Sequence, residues 1–393
     1  MFFATGVILG AGIYTIIGEA AGEGGNMLWL SFATAAFTAV LTLFAYAELS
    51  SIYPSSGGEF TYVKESAGLR WAYVVGVMVA LSGIISSATI SLGFAGYFSE
   101  LVDFPAVVTA IAIMGVILAI NILGIKHSSV VNIIFTILET GGLIFVIYSA
   151  APAIGKINYL ELPPEGISGV LAGAAICFFA FTGFEDAVKL AEETKSPEKN
   201  IPRALFISSA IVMTIYLCVA FVVVSMIPFG ELASSENPLS TVVEKRFGST
   251  GAMIIAIVAL FFTSNSLLSN MLGSSRVIYN IGKENKKLSL FAKVLPKRKT
   301  PALALIAVAV IAAAFSLIGD VKIAALITNF FVFVTFLIIN ITVIYLRKTK
   351  KELSRPFKIP GNIRGIPVIS VVAIFMVTLL MGFTIYSLIS SFK

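Results

Sequence analysis

Polar positions along this chain follow a coarse rhythm. Long apolar runs alternate with short stretches that carry glycine, proline and charge. Eleven such runs are legible, at 2–21, 27–50, 71–98, 105–125, 128–151, 167–188, 204–227, 249–275, 301–318, 321–346 and 366–390. A helix of about 20 apolar residues crosses a hydrocarbon layer about 30 Å thick, so each run reads as a membrane span. The breaks carry turn chemistry: Gly22-Glu23-Gly24-Gly25-Asn26, Phe104-Pro105, Pro163-Pro164 and Gly319-Asp320. The pattern predicts an all-α polytopic membrane protein.

Two runs are interrupted where a helix should be strongest. The first holds Gly6-Val7-Ile8-Leu9-Gly10-Ala11-Gly12-Ile13-Tyr14, and each interior glycine weakens a helix by about 1 kcal/mol relative to alanine. A helix broken in lipid frees amides and carbonyls that lipid cannot satisfy, whereas a polar ligand can. Small residues also let two helices pack closely, so the glycines by themselves leave both readings open. The sixth run holds Phe178-Phe179-Ala180-Phe181-Thr182-Gly183-Phe184-Glu185-Asp186, again with glycine and polar groups in mid-span. Five runs make each half, so the halves would lie in opposite orientations with their first helices broken in corresponding places. Such pairing points to a transport site near the bilayer midplane. The expected organisation is a first inverted repeat at 1–151, a second at 167–346 and an additional helix at 366–390. Only nine residues precede Gly10, so the half-helix before that break is expected to be truncated.

Composition agrees with lipid as the main solvent. Of the 393 residues, 58% are hydrophobic and 12% charged, against roughly a quarter charged in a soluble domain. The net charge of +6 is explained by its placement. With a cytoplasmic N-terminus, 22 of the 27 Lys and Arg fall in inner loops, leaving Lys156, Lys245, Arg246, Lys322 and Lys393 outside. The basic runs thus set topology against anionic headgroups, and no nucleic-acid partner is implied. An odd number of spans leaves the C-terminus extracellular. Cys177 and Cys218 sit in apolar runs and suggest neither disulfide nor metal site. No cleavable signal peptide is recognised.

Few ionisable groups lie within spans, which makes them readable. Glu139 sits about twelve residues into its run, near mid-depth, where a charge must be paired, protonated or bound to a cation. Glu185 lies three residues after Thr182, on the same face beyond the second break; gating, pH sensing or bonding to freed amides all fit it. Glu48, at the end of the second run, reads as a partner for loop amides. Thr263-Ser264-Asn265-Ser266 places oxygens at mid-depth that suit Na⁺ or bond backbone carbonyls one turn back. His127 reads as a solvated loop residue. No catalytic triad, HExxH or phosphate loop occurs, so neither enzymatic activity nor a cofactor is expected.

With these residues in view, the chain resembles the amino acid–polyamine–organocation superfamily of amino acid permeases along nearly its whole length. Besides Gly10-Ala11-Gly12-Ile13 and Phe181-Thr182-Gly183-Phe184-Glu185, the likeness includes Ala47-Glu48-Leu49 and Tyr53-Pro54-Ser55-Ser56-Gly57-Gly58-Glu59-Phe60-Thr61-Tyr62. It continues through Glu192-Glu193-Thr194-Lys195-Ser196-Pro197-Glu198-Lys199-Asn200-Ile201-Pro202-Arg203-Ala204, Ser275-Arg276-Val277-Ile278-Tyr279 and Arg355-Pro356-Phe357-Lys358-Ile359-Pro360. The resemblance implies two inverted five-helix repeats with helices one and six unwound at the substrate. It further implies that amides at Ile8, Gly10, Ala11 and Gly12 hold a substrate α-carboxylate. Carbonyls at Phe179, Ala180 and Thr182 would hold its α-ammonium, with Phe179 also an inner gate. The family usually has twelve spans, so the last is expected to be missing here. Some prokaryotic relatives carry a lysine on the fifth helix where this chain has Glu139.

The expected function is secondary active transport of an amino acid by alternating access in the cell membrane. A neutral substrate and proton coupling through Glu139 are favoured. Na⁺ symport through Glu139 with Thr263 or Ser264, obligate exchange, and a non-transporting amino acid sensor are the alternatives.

Overall fold

The computed structural model describes residues 2–123, 129–295 and 300–391. His127 and the topology-setting Lys126, Lys297, Arg298, Lys299 and Lys393 lie outside the described residues. Every apolar run falls on helix. The first is split into α1 (Phe2–Leu9) and α2 (Gly12–Gly24), and α3 (Leu28–Ile52) forms the second. A short helix, α4 (Gly58–Ala67), leads into α5 (Leu69–Ser99), followed by α6 (Ala106–Leu123) and α7 (Ser129–Ala150).

The sixth run is the most broken. α8 (Ile167–Cys177) gives way to a 3₁₀ segment at Phe178–Phe181, then α9 (Phe184–Ala187) and a second 3₁₀ segment at Val188–Glu193. After it come α10 (Pro197–Met226), α11 (Phe229–Ser234), α12 (Pro238–Glu284), α13 (Ala302–Ser316), α14 (Val321–Thr349) and α15 (Val368–Ser391). The one sheet among the described residues is a minimal hairpin pairing Asn362–Ile363 with Ile366–Pro367.

Nine helical stretches among the described residues are long and apolar enough to cross a membrane. That number is smaller than eleven because α2 and α3 count as one stretch, Gly12–Ile52, and α13 is only 15 residues long. The protein is thus an all-α polytopic membrane protein, with large apolar side chains such as Ile137, Phe261 and Phe375 left exposed on its flanks.

The main buried core runs from Ile8 to Leu380 and draws on both halves of the chain, with a small second cluster at Leu92, Ala95, Ala110 and Ala324. α3 packs on α10, α2 on α8, and α5 on both α12 and α14. Elements of the two halves therefore interleave, and the two broken helices meet inside this core.

At the α4 end, a buried ion cluster pins three segments. Glu48 on α3 accepts bonds from Arg347 on α14, at 2.9 Å from Nε to Oε1 and again through Nη2 to Oε2. The Ile359 amide donates to Glu48 Oε2 at 2.8 Å, and Arg355 Nε stands 3.4 Å from Oε1. Glu48 is thus a partner for loop backbone, as its position suggests. The arginines that join it come from about 300 residues away and carry no local sequence signal.

Candidate functional site

At the first break, α1 stops at Leu9 and α2 starts at Gly12, with Gly10 at φ 36°. The Leu9 carbonyl is taken by the Tyr216 hydroxyl of α10. The Tyr14 carbonyl accepts from Tyr97 at 3.1 Å, and the Thr15 hydroxyl donates to the Ala11 carbonyl at 2.9 Å. The N-cap residue of α2, Ala11, has no side chain that could cap it, so the amides that follow carry the partial positive charge of a helix start.

At the second break, the Phe179 carbonyl accepts from both the amide and the hydroxyl of Thr182, at 3.3 and 2.8 Å. Gly183 then turns the chain at φ 113°, a conformation that side-chain-bearing residues rarely adopt. Its amide donates to Glu185 Oε2 at 2.9 Å.

The breaks touch each other. A Cβ built on Gly12 would lie 2.5 Å from the Ala180 Cα, so only glycine allows this approach. Around the contact is a cavity of about 90 Å³, lined from α1 and α2, α5, the sixth span, α12 and α14. All seven residues singled out from the sequence for substrate, Ile8, Gly10, Ala11, Gly12, Phe179, Ala180 and Thr182, line it. Glu185 lines it too.

The remaining sequence candidates lie elsewhere. Glu139 is 3% exposed on α7 and does not line the cavity, and its Oε1 has no hydrogen-bond partner among the described residues. Thr263 is buried and donates to the Ala259 carbonyl at 2.7 Å, the backbone bond that such residues commonly make. Neither Thr263 nor Ser264 lines the cavity. Among the described residues no group of three or more His, Cys, Asp or Glu is placed to hold a metal.

Other polar residues line the site beyond these seven and Glu185. Asn265, Ser266, Ser269 and Asn270 present two i,i+4 pairs from α12, facing Ser82 and Ser86 from α5. Ser266 is engaged already: its Oγ accepts the Ala11 amide at 2.9 Å. That i,i+4 spacing of small polar residues is the signal that would have found them. Asn329 on α14 left no such trace. It is fully buried, with Nδ2 donating to the Ala175 carbonyl at 2.7 Å.

A second cavity of about 50 Å³ shares Ser82, Gly83, Glu185, Asp186, Asn270 and Val332 with the first. It adds Tyr46, Glu59 and Lys189, so the space runs on toward α4. Lys189 bonds Asp186 there at 2.5 Å, and the Tyr46 hydroxyl donates to Glu59 at 3.1 Å. Burial lifts the Glu59 carboxyl above its ordinary range, an effect only partly offset by Lys189. At the opposite end two contacts tie α2 to its neighbours. Lys322 on α14 bonds Glu23 on α2 at 2.5 Å, and α11 lies against α2 so closely that a Cβ on Gly18 would meet the Leu232 carbonyl at 2.7 Å.

Residues 1–391 match a family described as amino acid permease. The branched-chain amino acid permease BcaP of Bacillus subtilis is 30% identical, over 98% of this chain and 90% of its own. The methylthioribose transporter of the same organism is 28% identical over 93% of this chain and 83% of its own. A vacuolar cationic amino acid transporter 4 of Arabidopsis thaliana is 31% identical over 80% of this chain and 57% of its own.

Proposed function

The chain belongs to the amino acid permease family, and we propose that it carries a neutral amino acid across the cell membrane by alternating access. The observation that carries this reading is the meeting of the two breaks at Gly12 and Ala180. One side of the cavity offers the start of α2, suited to a carboxylate; the other offers carbonyls of an unwound segment, suited to an ammonium group. The seven lining residues from the two breaks are then the substrate-binding set, with Phe179 and Glu185 as gate. In this reading 1–151 and 167–346 are the inverted repeats, with 366–390 an added helix.

A neutral side chain is supported by the lining. No Lys or Arg borders the main cavity, and of its two acids Asp186 is paired with Lys189 while Glu185 is held by the Gly183 amide. The likeness to a branched-chain permease points the same way. With the N-terminus cytoplasmic and the C-terminus outside, the α4 end faces the cytoplasm and the conformation is inward-facing, closed outside by Glu23 and Lys322.

Coupling is assigned to proton exchange at Glu139, whose unpartnered oxygen in mid-span is costly to keep without a proton or cation. In proteoliposomes, Glu139→Gln is expected to lose accumulation driven by a pH gradient while keeping counterflow exchange. Unchanged driven uptake would make Glu139 structural. Dependence on a sodium gradient would transfer the coupling to Na⁺, and binding without uptake would make the protein a sensor.

A further inference from the structure

Asn329 on α14 does not line the cavity, yet its neighbours on the helix do. Thr328 precedes it and Val332 follows one turn later, and both line the cavity. Asn329 itself is 0% exposed and turns to the sixth span instead. There Nδ2 donates to the Ala175 carbonyl at 2.7 Å and reaches the Ile176 carbonyl at 3.5 Å.

The helical ladder fails at the Ala175 carbonyl, whereas the Ile176 carbonyl still accepts from the Phe178 amide. The last α-type bond of α8 runs from the Phe178 amide to the Ala174 carbonyl, and the chain then tightens into the 3₁₀ segment Phe178–Phe181. The Ala175 carbonyl comes next in line, fully buried in a core where lipid offers no donor. Without a donor from outside the helix, the Ala175 carbonyl could be satisfied by extending α8 through Phe179, which would wind up the segment that presents Phe179 and Ala180 to the cavity. The Asn329 amide removes that incentive.

We propose that Asn329 is a positioning residue: by capping the Ala175 carbonyl it holds the sixth span unwound beside the substrate. Its own Oδ1 has no partner among the described residues. A buried acceptor left unmatched has a cost, so the side chain is kept for its donor and not for a balanced amide pair. Nothing but the donor is needed, and that makes the assignment testable with a near-isosteric acid. Asp at this place donates when protonated and only repels the carbonyl when ionised.

The inference rests on the transport reading, and leucine uptake by the wild type checks that reading first. If the wild type neither binds nor moves leucine or other neutral amino acids, the substrate reading fails and Asn329 is untouched by that result. Leucine affinity is then measured by thermal shift on the full-length protein from about pH 9 to about pH 5. Asn329→Ala is expected to bind roughly tenfold more weakly throughout, the size of one buried hydrogen bond. Asn329→Asp is expected to match the wild type at the acid end and to bind more weakly than it toward the alkaline end. Asn329→Ala binding within about twofold of wild type, or Asn329→Asp remaining as weak as Asn329→Ala at every pH, overturns the proposal. If Asn329→Ala does not survive purification, Asn329→Asp prepared at acid pH carries the comparison. Failure of both to fold would make Asn329 a folding residue and overturns it as well.

Discussion

Gly12 stands so close to Ala180 that a Cβ on it would come within 2.5 Å of the Ala180 Cα. The contact joins residues 168 positions apart and brings the two helix breaks together around one cavity. The obstacle is backbone, which cannot swing aside as a side chain can.

Gly12→Ala is therefore expected to push the breaks apart. Overpacking of this kind costs about 1–3 kcal/mol, and uptake in proteoliposomes should fall by at least about tenfold even where the protein is still folded. Gly115→Ala is the control. Gly115 lies within α6 with open space around it, so alanine there should leave uptake unchanged and raise stability by about 0.5–1 kcal/mol. Equal activity in the two variants would remove the break-to-break contact from the mechanism.

Ser266→Ala tests what the Ala11 amide does when no substrate is present. The Ser266 hydroxyl accepts that amide at 2.9 Å, so its loss should destabilise the empty protein by about 1–3 kcal/mol. A substrate carboxylate that takes over the same amide no longer has to displace Ser266. The stabilisation produced by leucine should accordingly be larger in the variant than in the wild type, read as a thermal shift. A smaller shift would mean that Ser266 holds the substrate directly.

The Glu48–Arg347 pair should behave as a buried ion pair does. Arg347→Met strands the Glu48 carboxylate with Arg355 and the Ile359 amide, and thermal unfolding in detergent should show a loss of roughly 3 kcal/mol. Adding Glu48→Leu removes the stranded charge, and most of that stability should return. A double variant no better than the single one would show that the cluster acts through loop geometry and not through charge.

Glu59 gives the pH dependence. Its carboxyl is raised above the ordinary 4.5 by burial, so the folded state binds the proton more tightly than the unfolded chain does. The associated stability is complete below the unfolded value and is lost as pH rises toward the folded one. Glu59→Gln stays neutral throughout. Its melting temperature should thus equal that of the wild type in acid and exceed it progressively as pH rises above about 4.5. A constant difference across that range would mean that Glu59 does not titrate there.

The sequence by itself determined the solvent and most of the fold. Apolar runs long enough to cross a bilayer can hide their backbone only as helices, so eleven runs read off the chain fall on helix in the structure. It also marked the two interruptions, because glycine in mid-span is a local property of the chain. Gly10, Gly12, Ala180 and Thr182 were legible for that reason, and all border the cavity.

Tertiary structure alone decided where the interruptions meet and which groups bond them. Ser266 on the Ala11 amide, Tyr216 on the Leu9 carbonyl and Asn329 on the Ala175 carbonyl each come from a distant helix. Serine, tyrosine and asparagine in apolar helices look alike whether they bond their own helix or another. Thr263 and Ser266 stand three residues apart on α12, yet one bonds its own backbone and the other the break. Only the rotation and depth of packed helices choose between those partners, and a broken helix stays broken because that choice supplies what its backbone lost.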